Sequence, residues 1–141
     1  MGKQKTVFVW ILLVLLGIYL ISGIIGTVIG SLFRMLFLRS IPLSYLDIIF
    51  QIISIMNLVL VFILFFKLYN VKPDVVKWVH ISFGFVVIVA ILSLIYDLVS
   101  GVSNIADSIY LIVLTILEIA MWIGITLHLK RAQRENLMDF S

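Results

Sequence analysis

Four long apolar runs, separated by short links that hold nearly all the charge, constrain this chain more than any other feature. Thr6–Phe33 runs 28 residues without a charged side chain, Ile48–Phe66 and Trp78–Tyr96 run 19 each, and Ser108–Leu129 runs 22 with one carboxylate, Glu118. At 1.5 Å rise per residue, 19 residues of helix cover about 28 Å, close to the roughly 30 Å hydrocarbon core of a bilayer. Inside hydrocarbon each backbone N–H and C=O must be satisfied within the protein, so an isolated run of this kind is a helix.

Composition excludes the soluble classes. Hydrophobic residues make up 64% and charged residues 12%, where soluble domains carry roughly a quarter charged. With 141 residues there is room for four spans and no separate domain. The expected fold is all-α, one transmembrane domain over 1–141, an antiparallel four-helix bundle with spans of about 7–30, 46–67, 76–97 and 107–129. The absence of cysteine removes disulfide, thiolate-metal and thiol redox chemistry.

Met-Gly-Lys-Gln-Lys before the first run resembles the start of a signal peptide. The run is too long for a signal h-region and has no small-residue cleavage pattern, so an uncleaved first span is expected.

Orientation follows from the basic residues. Four crossings place Lys3, Lys5, Lys67, Lys72, Lys77, Lys130, Arg131 and Arg134 on one side and only Arg34 and Arg39 on the other. The positive-inside rule puts the eight in the cytoplasm, with both termini, in a cell membrane. The tail Lys130-Arg131-Ala-Gln-Arg134 is expected against anionic lipid, and the basic residues, lying beside apolar spans, do not indicate nucleic acid. Between the first two spans, Ser31–Ser40 has no helix breaker before Pro42 and is read as a continuation of span one, the alternative being a segment lying flat in the outer interface with Arg34 and Arg39 among the headgroups.

Polar residues within the spans are the functional candidates. A carboxylate near mid-bilayer costs of the order of 2.5–3.5 kcal/mol on insertion scales, so Glu118 requires either a function or a structural hydrogen bond in its protonated form. Counted from the inner boundaries, Glu118, Asn57 and Tyr19 fall near one depth and are the candidate ion or proton site. Gln51, Ser54, Ser93, Tyr96, Asp97 and Thr115 lie on helix faces of the outer halves and form a candidate vestibule above it. Interhelical bonding is the structural alternative for Asn57 and Gln51, and bonding to the own helix is the alternative for the hydroxyls. Asp47 and Asp107 each follow a Ser or Asn by three residues at a helix start, which suits capping. Asp97, near a helix C-terminus, calls for Arg34 or Arg39 as a partner or for exposure to headgroups.

Ser22, Gly26 and Gly30 are spaced four apart, a pattern that admits close helix packing within the chain or in a homodimer. His80 and His128 sit at the cytoplasmic boundary as interfacial residues; neither a metal nor a cofactor is expected. No nucleophile, base and orienter share one depth, so an enzyme is not expected. Two functions remain: a cation- or proton-linked transporter or channel using Glu118, and a non-catalytic scaffold, assembly factor or modulator that binds another membrane protein.

Overall fold

The computed structural model describes residues 4–37, 45–101 and 104–141, without the side chains of residues 37, 46 and 47. Four helices account for almost all of them: α1 (Val7–Phe37), α2 (Tyr45–Tyr69), α3 (Val75–Ser100) and α4 (Ile105–Arg134). All four are long and apolar enough to cross a membrane. Each exceeds the uncharged run that predicts it, because nothing in the flanking residues breaks a helix and the charged ends can lie beyond the hydrocarbon. In particular α1 continues through Arg34 to Phe37, as the absence of a breaker implies. Ser44 and Arg39, invoked above for capping and for pairing with Asp97, lie outside the described residues, as does the Asp47 side chain.

The helix ends are built from recognisable local chemistry. Thr6 opens α1, its Oγ1 accepting from Val9 N at 3.3 Å while its carbonyl accepts from Trp10 N. Asn104 opens α4, its Oδ1 accepting from Asp107 N at 2.8 Å, so the amide makes the cap and Asp107 adds a favourable charge to the first turn. Three helices close through a left-handed residue. Gly101 does so after α3 and Asn136 after α4, both residue types that adopt this conformation readily. After α2 the position is taken by Val71, with φ 49°, where Lys72 N bonds Lys67 O and Val71 N bonds Leu68 O. A β-branched residue there is strained. Its side chain is 1% exposed, and that burial offsets the strain.

The packing is uneven. α1 packs on α2, α2 on α3 and α3 on α4, but no Cα of α1 comes within 8 Å of one in α4 among the described residues. The core gathers at the end of the molecule that carries both termini: Val9, Leu12 and Leu13 of α1, Leu64 and Leu68 of α2, Val71, Val75 and Val79 around the turn into α3, and Ile125, Leu129 and Ala132 of α4. Beyond Asn136 the tail turns back, and Met138 joins this cluster with Phe140 against it. We call this the core end and the opposite one the open end, where Ile24, Ile95, Leu98, Ile109 and Ile116 are all more than half exposed.

Candidate functional site

Polar pairs lock the core end. Thr6 Oγ1 lies 2.9 Å from His128 Nε2, joining the start of α1 to α4, and the His128 ring packs on Phe8 with centroids 4.4 Å apart. Trp122 Nε1 donates to His80 Nδ1 at 2.8 Å, joining α4 to α3. Lys67 Nζ donates to Asp74 Oδ2 at 2.9 Å, and Trp78 Nε1 donates to the same oxygen at 3.3 Å. The Lys67 hydrogen bond and charge hold the exposed Asp74 carboxyl below its usual range, against a smaller opposing effect of desolvation. Lys5 is 8% exposed, with its ammonium over the rings of Trp10 and Tyr69 at 4.8 and 4.7 Å. These pairs go beyond what the sequence revealed. The two histidines are halves of helix–helix bonds, and Asp74, four residues beyond Asn70, has a partner that spacing alone did not identify.

Of the candidate site, the structure joins Tyr19 and Asn57. Asn57 Nδ2 donates to Tyr19 Oη at 2.5 Å, linking α1 to α2, while Asn57 Oδ1 is shielded and has no partner among the described residues. Glu118, near the middle of α4, is in the same position: its Oε2 is shielded and unpartnered. No hydrogen bond connects it to Tyr19 or Asn57 among the described residues. On ideal helix geometry Glu118 lies about 20° from Ile125 and 60° from Met121. Those two residues, with Gly124, face Phe8, Ile11, Leu12 and Leu15 of α1 across an apolar slot of about 190 Å³. On the same geometry Glu118 lies about 40° from Trp122, which bonds His80 of α3, so it falls between the side of α4 that meets α3 and the side that lines the slot, roughly 10 Å beyond Ile125.

The vestibule residues divide. Gln51 and Ser54 turn toward α1, with Gln51 Nε2 3.5 Å from Ser31 Oγ and Ser54 Oγ donating to Phe50 O at 2.9 Å. Thr115 donates to Leu111 O at 2.8 Å. Ser93 and Asp97 are half-buried on α3 and Tyr96 is exposed. The Asp97 carbonyl takes the Gly101 N–H that closes the helix.

The glycines of α1 serve different ends. Close approach falls at Gly23, where an added Cβ would stand 2.5 Å from Leu58 Cδ2, and at Gly17, beside Phe65. Gly26 and Gly30 have nothing within 4 Å of a Cβ, and Ser22 is exposed. Instead, Gly26 and Gly30 line a groove between α1 and α2 with Thr27, Ser31, Arg34, Phe50, Gln51 and Ser54. A second hollow lined by Tyr19, Gly23, Asn57 and Leu58 continues it, sharing Gly26, Thr27 and Ser54. The sequence signal for this groove was the register of Thr27, Gly30 and Arg34 with Gly23 on one face.

A further hollow lies at the core end between Gln4, Gln133 and the tail residues Asn136–Phe140. It is far along the chain from Glu118. No known family, curated protein or solved structure matches this chain.

Proposed function

We propose that this is a small, non-catalytic multi-pass protein of the cell membrane that binds a transmembrane helix of another membrane protein in the opening between α1 and α4. The supporting arrangement is an antiparallel four-helix bundle with both termini in the cytoplasm, as the eight-to-two division of Lys and Arg requires. The core end then faces the cytoplasm, beside anionic lipid, and the open end lies in the outer leaflet.

One observation carries the reading: among the described residues no helix of the chain closes the slot between α1 and α4, and the half-buried Glu118 lies on α4 about 20° round from Ile125 on the slot wall. A carboxyl at that depth gains a hydrogen bond from a donor on an incoming helix when its side chain turns into the slot, a bond worth about 0.6 to 2 kcal/mol in membranes. On α1, Ser22 lies within about 20° of Leu15 on ideal helix geometry, so a small exposed residue continues the slot beyond Leu15. The tight core end argues against a through-pore, because Leu64, Leu68 and Leu129 are at most 2% exposed.

The test is site-specific photocrosslinking in native membranes. A photoreactive residue at Met121 or Ser22 is expected to give one adduct of defined mass, lost in Glu118→Leu, while Ile88 on α3 gives none. An adduct of twice the chain mass identifies the partner as a second copy. Equal labelling at all three positions would overturn the reading.

A second reading, cation- or proton-linked transport, is favoured by the Tyr19–Asn57 pair, which sits near the depth of Glu118. It requires ion or proton flux in proteoliposomes that Glu118→Gln abolishes.

A further inference from the structure

We propose that the groove between α1 and α2 binds a phospholipid, with Arg34 taking the headgroup phosphate and one acyl chain lying over Gly30 and Gly26. The groove is lined by α1 and α2, whereas the slot of the proposed function is lined by α1 and α4.

Depth comes first. Arg34 lies 27 residues after Val7 on one continuous helix, about 40 Å along it. A hydrocarbon core is roughly 30 Å thick, so Arg34 reaches headgroup level even when α1 is tilted. There it lines the groove with Ser31 and Gln51, which supply further polar groups beside the guanidinium. A guanidinium pairs with phosphate through parallel charge-assisted bonds, which makes a phosphate-bearing headgroup the complementary ligand.

The groove then descends into hydrocarbon. Its two hollows, about 270 and 310 Å³, are continuous through Gly26, Thr27 and Ser54. From Arg34 to Tyr19 the path is about 22 Å, against roughly 15 Å for one leaflet, enough for a full acyl chain. Gly26 and Gly30 leave the wall recessed where the chain would lie, and Leu58 fills the space at Gly23 and closes the floor. The hydroxyls along this path are already satisfied, Thr27 Oγ1 by Gly23 O at 2.8 Å and Ser54 Oγ by Phe50 O. They present their carbon atoms to an apolar occupant at little cost. Because the groove opens sideways into hydrocarbon, a lipid reaches it directly, whereas free phosphate would gain nothing from the glycine wall.

The experiment is native mass spectrometry of the full chain in detergent, titrated with phosphatidylglycerol, with the thermal unfolding midpoint recorded alongside. One lipid per chain is expected. Arg34→Gln weakens retention about tenfold or more, and Arg34→Lys weakens it less, because the charge survives while the paired bonds of the guanidinium are lost. Gly26→Leu and Gly30→Leu, which leave the arginine intact and fill the groove, weaken retention similarly. Ile88→Leu changes nothing, and millimolar inorganic phosphate does not displace the lipid. The proposal is overturned if Arg34→Gln and Gly30→Leu both retain lipid like the unaltered chain, or if inorganic phosphate binds and lipid does not. It is also overturned if the unaltered chain has twice the expected mass and Gly30→Leu dissociates it, since the occupant is then a second copy.

Discussion

The core end and the open end are made of the same residue types and yet differ in what holds them. At the core end, isoleucine, leucine and valine from all four helices meet in one cluster, and polar pairs tie Thr6 to His128, His80 to Trp122 and Lys67 to Asp74. At the open end equally apolar side chains point outward, hydroxyls such as Thr115 return to their own helix, and the interhelical polar pair of Gln51 with Ser31 is long at 3.5 Å. Lipid tails are as apolar as leucine, so hydrophobicity gives membrane helices no reason to pack on each other. What separates the two ends is shape fit and hydrogen bonding.

That contrast can be broken most directly by truncation. Leu64→Ala or Leu129→Ala removes a fully packed side chain and is expected to cost about 2 kcal/mol or more through lost contacts and the cavity left behind. Leu98→Ala or Ile116→Ala at the open end should cost under about 0.5 kcal/mol, since both are more than half exposed. Thermal unfolding in detergent measures all four. Comparable losses at both ends in native membranes would show that the open end is covered by a partner.

A sharper comparison lies within the core end. Val75 is fully buried in the first turn of α3, and Val75→Gly should cost about 2 to 4 kcal/mol. Val71→Gly removes a similar side chain but relieves a left-handed backbone worth about 1–2 kcal/mol, so it should cost about 1–2 kcal/mol less than Val75→Gly. Chemical unfolding of the pair decides it, and equal costs would mean that the turn stores no strain.

Smaller effects separate the glycines of α1. Gly23→Ala meets the tip of Leu58 and should cost about 1 kcal/mol, whereas Gly26→Ala enters open space and should gain up to about 1 kcal/mol from helix propensity. The smallest effect concerns pH. Asp74 titrates below the unfolded reference of about 3.9, so its contribution is complete above that value and fades as pH falls through the lower folded value. A midpoint series across acidic pH should show a slight loss that Asp74→Asn removes. The carboxylate is exposed, so salt should diminish the effect as well.

Much of the fold was legible because a bilayer leaves few choices. Uninterrupted apolar length, the missing breaker before Pro42 and the Asn104-x-x-Asp107 start all predicted helices at the positions observed. Polar pairing was legible in part: Tyr19 and Asn57 were placed at one depth by counting, and they do bond. Counting could not show that Glu118 stands apart from them, because depth says nothing about which side of a helix meets which neighbour. The glycine spacing in α1 was visible too, but Ser22, Gly26 and Gly30 differ from Gly23 only in what α2 places opposite.

Sequence alone determined four helices long and apolar enough to cross a membrane, with one acid near the middle of the fourth, since the transfer cost of polar groups into hydrocarbon depends only on residue type and run length. Tertiary structure decided where the helices touch. It gathered the core at one end, opened a groove beside Arg34 and left a shielded oxygen of Glu118 without a partner among the described residues. Those outcomes depend on van der Waals fit between faces that are chemically almost alike, and hydropathy does not encode fit.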